Sequence, residues 1–271
     1  MSAALAYEWT RIRTIRSTWW LTALTLVLGV GLAFLVSWGM SVDLGNGNTP
    51  GPRERTLIAP MIVGQFAGQG APLFIAYVIA MIGVFAWGHE YRHGMIRATL
   101  TALSSRTSAW AAKYVVVALW AAGTALLTML LSAAVGWLWL RDDGISFATG
   151  DVAQVLVATA AYTVLFTWVA AALASLIRQQ AAALVLMFLW PLALENVITL
   201  VLSVVPGLDA LASLSRFLPY NAGARMLSVG DRSGGALFGD PLSPWGGLVV
   251  FGAFAAVLLG ASLVLFRERD A

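Results

Sequence analysis

Long apolar runs joined by short polar links set the pattern of this chain. A helix crossing about 30 Å of hydrocarbon at about 1.5 Å per residue needs about 20 apolar residues. Six segments qualify: 19–40, 71–88, 112–140, 152–177, 181–205 and 245–266. The expected fold is therefore an all-α polytopic membrane protein, a single domain with six transmembrane helices. Glu8, Arg11, Arg13 and Arg16 precede the first run, no small-residue cleavage site follows it, and many more runs come after. Segment 19–40 thus reads as a retained span and not as a signal peptide.

Three accessory pieces interrupt the spans. In residues 1–18, Leu5, Trp9, Ile12 and Ile15, continued by Trp19, recur at helical spacing while Glu8, Arg11 and Arg13 point elsewhere. That pattern describes an N-terminal amphipathic helix in the membrane interface, or a plain basic anchor. In residues 89–106, Ile96, Leu100 and Leu103 form a stripe at i, i+4 and i+7, a short helix expected to open at Gly94 and close at Ser104 and Ser105. In residues 206–244, Leu208, Leu211, Leu214 and Leu218 precede Pro219 and a Gly-rich run, which predicts short re-entrant helices on the far side. Segment 45–52 reads as a flexible loop.

Composition agrees with lipid as the solvent. Hydrophobic residues make up 60% and charged residues 11% of 271, with mean hydropathy +0.83, too few polar groups to coat a soluble globule. Charge then sets the orientation. The side carrying the termini holds ten basic and four acidic residues, the other side six basic and eight acidic. Because basic loops resist translocation, both termini are expected in the cytoplasm of a cell-membrane protein surrounded by lipid. There is no cysteine, which removes disulfides and thiolate chemistry.

Candidate chemistry is sparse. His89-Glu90-Tyr91-Arg92-His93 fits H-E-x-x-H, in which two histidines a turn apart hold zinc and the glutamate activates water. An intramembrane zinc metalloprotease is therefore one alternative. Against it, these are the only two histidines, Arg92 sets a cation beside a ligand, and Gly94 weakens the helix that would align the imidazoles. No G-x-x-x-x-G-K-[ST] loop is possible, since the single lysine, Lys113, follows Ala112. No G-x-S-x-G elbow occurs either, so no enzymatic activity, cofactor, metal or nucleic-acid partner is expected. Glu195 is the one acid inside a span, at a cost of about 2.5–3.5 kcal/mol at mid-membrane. With Pro191 and Asn196 it marks a possible translocation path, or the relay of an ion-coupled carrier.

Two stretches carry a family resemblance. Glu90-Tyr91-Arg92-His93-Gly94-Met95-Ile96-Arg97-Ala98-Thr99-Leu100, followed by Arg106 and Ala112-Lys113, resembles the segment between the second and third spans of ABC transporter type-2 permeases. The opening from Glu8-Trp9-Thr10 to Trp19-Trp20 is similar to actinobacterial members. The resemblance implies that 89–106 is a cytoplasmic coupling helix, with Glu90, Tyr91, Arg92, Gly94, Met95, Ile96, Arg97, Leu100 and Leu103 at the interface with a separate ATPase subunit. It also implies a second permease copy, an exporter's direction, and pairing of Glu90 with arginines such as Arg11, Arg13 or Arg97.

Overall fold

The computed structural model describes residues 2–64, 74–96, 105–205, 213–228 and 242–268. Among these residues every regular element is helical. The order is α1 (Ser2–Thr14), α2 (Arg16–Gly45), α3 (Pro52–Val63), α4 (Phe74–Arg92), α5 (Arg106–Leu140), α6 (Gly150–Ile177) and α7 (Gln180–Leu189). A π-turn (Trp190–Leu194) joins α7 to α8 (Glu195–Val204), and a 3-10 turn (Ser213–Phe217), α9 (Pro219–Arg225) and α10 (Pro244–Glu268) complete the chain.

Among the described residues, five helical runs are long and apolar enough to cross a membrane: α2, α5, α6, α10 and the continuous stretch Gln180–Leu202. Their outward faces are apolar. Trp20 and Val27 on α2, Val185 on α7, Leu200 on α8 and Val257 on α10 are exposed, a surface suited to hydrocarbon and not to water. The remaining predicted span, 71–88, coincides with α4 from Phe74 onward, and its first three residues lie outside the described ones. α4 stands in the middle of the bundle, packed by α2, α5, α6 and α7. Its residues Ile75 to Ala80, Val84 and Trp87 are all buried. At Gly83 the α4 and α6 backbones meet: an added Cβ would lie 2.5 Å from the Thr167 carbonyl.

Four expectations change. First, α1 does not present Glu8 and Arg11 to solvent. Its buried residues are Ala4, Glu8 and Ile12, whereas Trp9 is exposed. Second, the expected 45–52 loop is confined to 46–51, because α2 runs through Gly45 and residues 52–63, where the pattern predicts no element, form α3. That helix puts Pro52 at its first turn and folds the Glu54 carboxylate back to the Gly51 N–H at 3.0 Å. Third, α4 runs through Arg92, so Gly94 closes that helix just before helix resumes at Ile96, the last described residue of this stretch. Gly94 takes φ +64°, and Met95 N–H closes back on the Glu90 carbonyl at 2.9 Å, the left-handed helix stop for which glycine is best suited. Fourth, α5 begins at Arg106, six residues before the predicted span. Ser105 caps it, its Oγ accepting from Ser108 N–H at 3.3 Å. The link between α4 and α5 is thus only 93–105, of which 97–104, with Arg97, Leu100 and Leu103, lies outside the described residues.

The expected re-entrant piece includes α9, whose Tyr220, Ala222 and Gly223 are buried against α10 and α6. Leu208, Leu211 and the Gly-rich run lie outside the described residues.

Candidate functional site

Where α1, the end of α4 and the start of α5 meet, four charged side chains converge, Glu8, Glu90 and Lys113 buried and Arg11 partly so. Glu8 and Arg11 stand one turn apart on α1, Glu90 lies in the last turn of α4, and Lys113 in the second turn of α5. Their exposures are 4%, 13%, 1% and 2% in that order. The charges cancel: two carboxylates face two cations.

The geometry is close on every side. Lys113 Nζ donates to Glu90 Oε1 at 2.8 Å and to Glu8 Oε1 at 2.9 Å. The Arg11 guanidinium lies 2.7 Å from Glu90 Oε1 and 3.0 Å from Glu8 Oε2, and its second amino group donates to the Ala86 carbonyl at 2.8 Å. Lys113 also lies 5.0 Å from the Trp87 ring centroid, a cation–π contact made in a dry setting. Desolvating four charges costs several kcal/mol per ion, and these short contacts offset it in part. Both cations meet Glu90 at Oε1, while its Oε2 is buried without a hydrogen-bond partner among the described residues. Removing one partner would leave a buried charge uncompensated. The cluster therefore couples three elements that sequence keeps apart: α1 to α4 and α5, on either side of the 93–105 link.

Of the anticipated partners of Glu90, the structure brings in Arg11. Arg13 is exposed on α1, and Arg97 is outside the described residues. Glu8 and Lys113 were not anticipated as partners. Their signal was available, since Lys113 is the single lysine among fifteen arginines and Glu8 sits three residues before Arg11.

The neighbouring residues of the link divide by role. Tyr91 stacks on Trp87 at 6.1 Å and receives the Arg178 guanidinium 5.5 Å from its ring. Arg178 closes α6 in a left-handed conformation, φ 56°. Ile96 packs against the main core, while Arg92, Gly94 and Met95 are exposed.

His89 stacks on Phe85 at 5.0 Å, and His93 approaches the His89 carbonyl through Nδ1 at 3.2 Å. The two imidazole centroids are 6.3 Å apart. Burial, and then the Arg11 charge, push the His89 imidazole below its usual range. The same cation opposes a divalent metal there. Glu90, the residue that would activate water, is turned into the ionic cluster, and among the described residues no three histidines or carboxylates gather as a metal site.

Glu195 lies at the opposite end of the bundle. α7 starts at Gln180, which packs on Gly88, and fifteen residues at about 1.5 Å carry the chain about 22 Å away. Its side chain is 1% exposed, and its two oxygens accept from Tyr220 N–H at 3.0 Å and Asn221 N–H at 2.8 Å. It therefore caps α9 from another helix, an anion set against the positive end of that helix. Pro191 is buried in the π-turn. Asn196 does not join Glu195: it is exposed, and its amide donates to the Pro191 and Leu192 carbonyls at 3.2 and 2.9 Å.

Residues 48–271 match the family described as a protein of unknown function, DUF2705. The chain belongs to this DUF2705 family. The match contains Glu90, Lys113 and Glu195, whereas Glu8 and Arg11 precede it, so the ionic cluster joins the DUF2705 region to the helix in front of it. No curated protein matches the chain.

Proposed function

We propose that this chain is the membrane-spanning subunit of an ATP-binding-cassette exporter, driven by a separate ATPase subunit that seats on the 93–105 link. The observation that carries the reading is the ionic cluster of Glu8, Arg11, Glu90 and Lys113. A force applied to the link reaches α4 and α5 directly, and through the cluster it reaches α1. Such a lever suits a chain without a nucleotide-binding loop of its own, and the resemblance of 90–100 to type-2 permeases points the same way.

In this reading α4 is the second of six spans, both termini and the link are cytoplasmic, and two permease copies in the cell membrane form the path between them. The exposed apolar faces meet lipid or the second copy. Expression with a cognate ATP-binding-cassette ATPase subunit should yield a stable complex with ATP-dependent transport. Leu100→Asp should abolish both complex and transport while leaving the isolated chain folded. An intact, active complex with Asp at position 100 would overturn the reading.

A further inference from the structure

We propose that Glu195, Tyr77, Tyr162 and Tyr220 form a buried proton-binding site, in which Glu195 exchanges a proton with water held by the three phenols. The inference does not rest on the exporter reading, because it concerns the end of the bundle away from the link.

Three helices deliver the tyrosines to one place. Tyr77 of α4, Tyr162 of α6 and Tyr220 of α9 all pack on Phe166, with ring centroids 4.8, 5.9 and 5.5 Å from it. None is more than 4% exposed. All three hydroxyls are buried without a hydrogen-bond partner among the described residues. Tyr220 gives its backbone N–H to Glu195, which brings the carboxylate to the same cluster. Three lone phenols packed together beside a buried carboxylate are far from the usual rule that a buried hydroxyl finds a partner.

Donors and acceptors in the group are complementary. Each Glu195 oxygen accepts one backbone N–H and keeps further lone-pair capacity. Each phenol has one O–H to donate. Water placed between them would accept from the phenols and donate to the carboxylate, meeting both needs. A further buried hydroxyl without a partner among the described residues, Thr159, lies about one turn before Tyr162 on α6 and lines a small, mostly apolar cavity with Ala76, Thr128 and Thr163.

Charge decides in favour of a proton. Glu90 faces two cations, whereas among the described residues Glu195 has no ion pair. Its titratable neighbours are Tyr77, Tyr162 and Tyr220, and the 3-10 turn packed on α8 carries Arg216. A buried carboxylate lacking a cation is relieved by taking up a proton. The step balances: hydronium gives one proton to the Glu195 carboxylate, leaving a neutral carboxyl and water, and the reverse returns it.

The test is pH-difference infrared spectroscopy on the full-length chain in lipid nanodiscs, comparing wild type, Glu195→Gln and the triple variant Tyr77→Phe, Tyr162→Phe, Tyr220→Phe. Wild type should show a protonated-carboxyl band that grows as pH falls and is missing in Glu195→Gln. The triple variant keeps the rings and the fold and should move the midpoint by about one pH unit, a tenfold change in proton affinity. If Glu195→Gln fails to fold, the triple variant still decides. A midpoint unchanged in the triple variant would refute the site, as would a wild-type chain with no such band. A midpoint that follows sodium concentration would replace the proton with a metal ion and also overturn the proposal. Loss of the ATPase partner would leave the band in place, so the two readings fail separately.

Discussion

Two carboxylates, Glu90 and Glu195, are buried to the same degree at opposite ends of one bundle, and the molecule stabilises them in different ways. Glu90 is held by the side-chain cations Arg11 and Lys113, which come from two other helices. Glu195 is held by two backbone N–H groups at the start of α9. The difference concerns what each bond can do when the structure moves. An ionic cluster tolerates small rotations because long side chains follow one another, so it suits a joint under load. A backbone cap has fixed geometry, and when α9 shifts the carboxylate loses both donors together.

The sharpest way to break the comparison is Lys113→Met. It leaves two buried carboxylates facing one guanidinium and should cost about 3–5 kcal/mol, read by thermal unfolding in detergent. Adding Glu90→Gln restores neutrality between Glu8 and Arg11, so the double variant should recover a substantial part of that loss. Simple additivity of the two would mean that the charges do not act as a unit. Glu90→Gln alone should also destabilise, since it leaves two cations facing only Glu8. Any transport defect it shows must be separated from lost folding.

At the other end, Glu195→Ala should cost about 2–3 kcal/mol by leaving two buried N–H groups without acceptors. It should also expose the segment around α9 to protease before the rest of the chain. Equal protease resistance in the variant and wild type would show that α9 does not depend on its cap. Gly247→Ala comes next, at about 1–3 kcal/mol, because its Cβ would run into the Ala222 carbonyl and push α10 away from α9. The smallest effect belongs to Ser105→Ala, about 1 kcal/mol from the α5 cap, measurable as a small drop in melting temperature.

The sequence makes the membrane character legible because lipid-facing helices must be apolar along their length, and α2, α5, α6 and α10 are. It is less explicit where polar groups face inward. Reading α1 by its apolar stripe puts Glu8 and Arg11 outside, since burying an ion is favourable only with partners that lie 79 to 105 residues away. α3 escaped notice because Gly45, Asn46, Gly47, Pro50 and Pro52 announce a loop, although Glu54 at the third helical position already completes a cap. Glu195 drew attention through its insertion cost. Its partners Tyr220 and Asn221, on a short helix with no strong apolar pattern, could not be paired with it from sequence. The stretch that leads from the end of α4 into the link, Glu90 to Ile96, divides in the same way: Glu90 belongs to the joint, and Gly94 is where a helix stops.

The π-turn at Trp190–Leu194 has one further consequence, which is arithmetic. Glu195 N–H bonds to the Trp190 carbonyl, five residues back instead of four, so this turn holds one residue more than an α-helix would. Deleting a single residue such as Leu192 would let α7 and α8 run on as one regular helix, and the side chains beyond would keep the faces they have now. Winding the same residues as plain α-helix, with the extra one retained, would instead rotate every side chain beyond by about 100°. Glu195 would then leave Tyr220 for the exposed side where Asn196 now lies. The cap and the tyrosine cluster therefore depend on the extra residue being taken up in this turn, so chains with or without that residue can hold a carboxylate here, provided any surplus is wound as a π-turn.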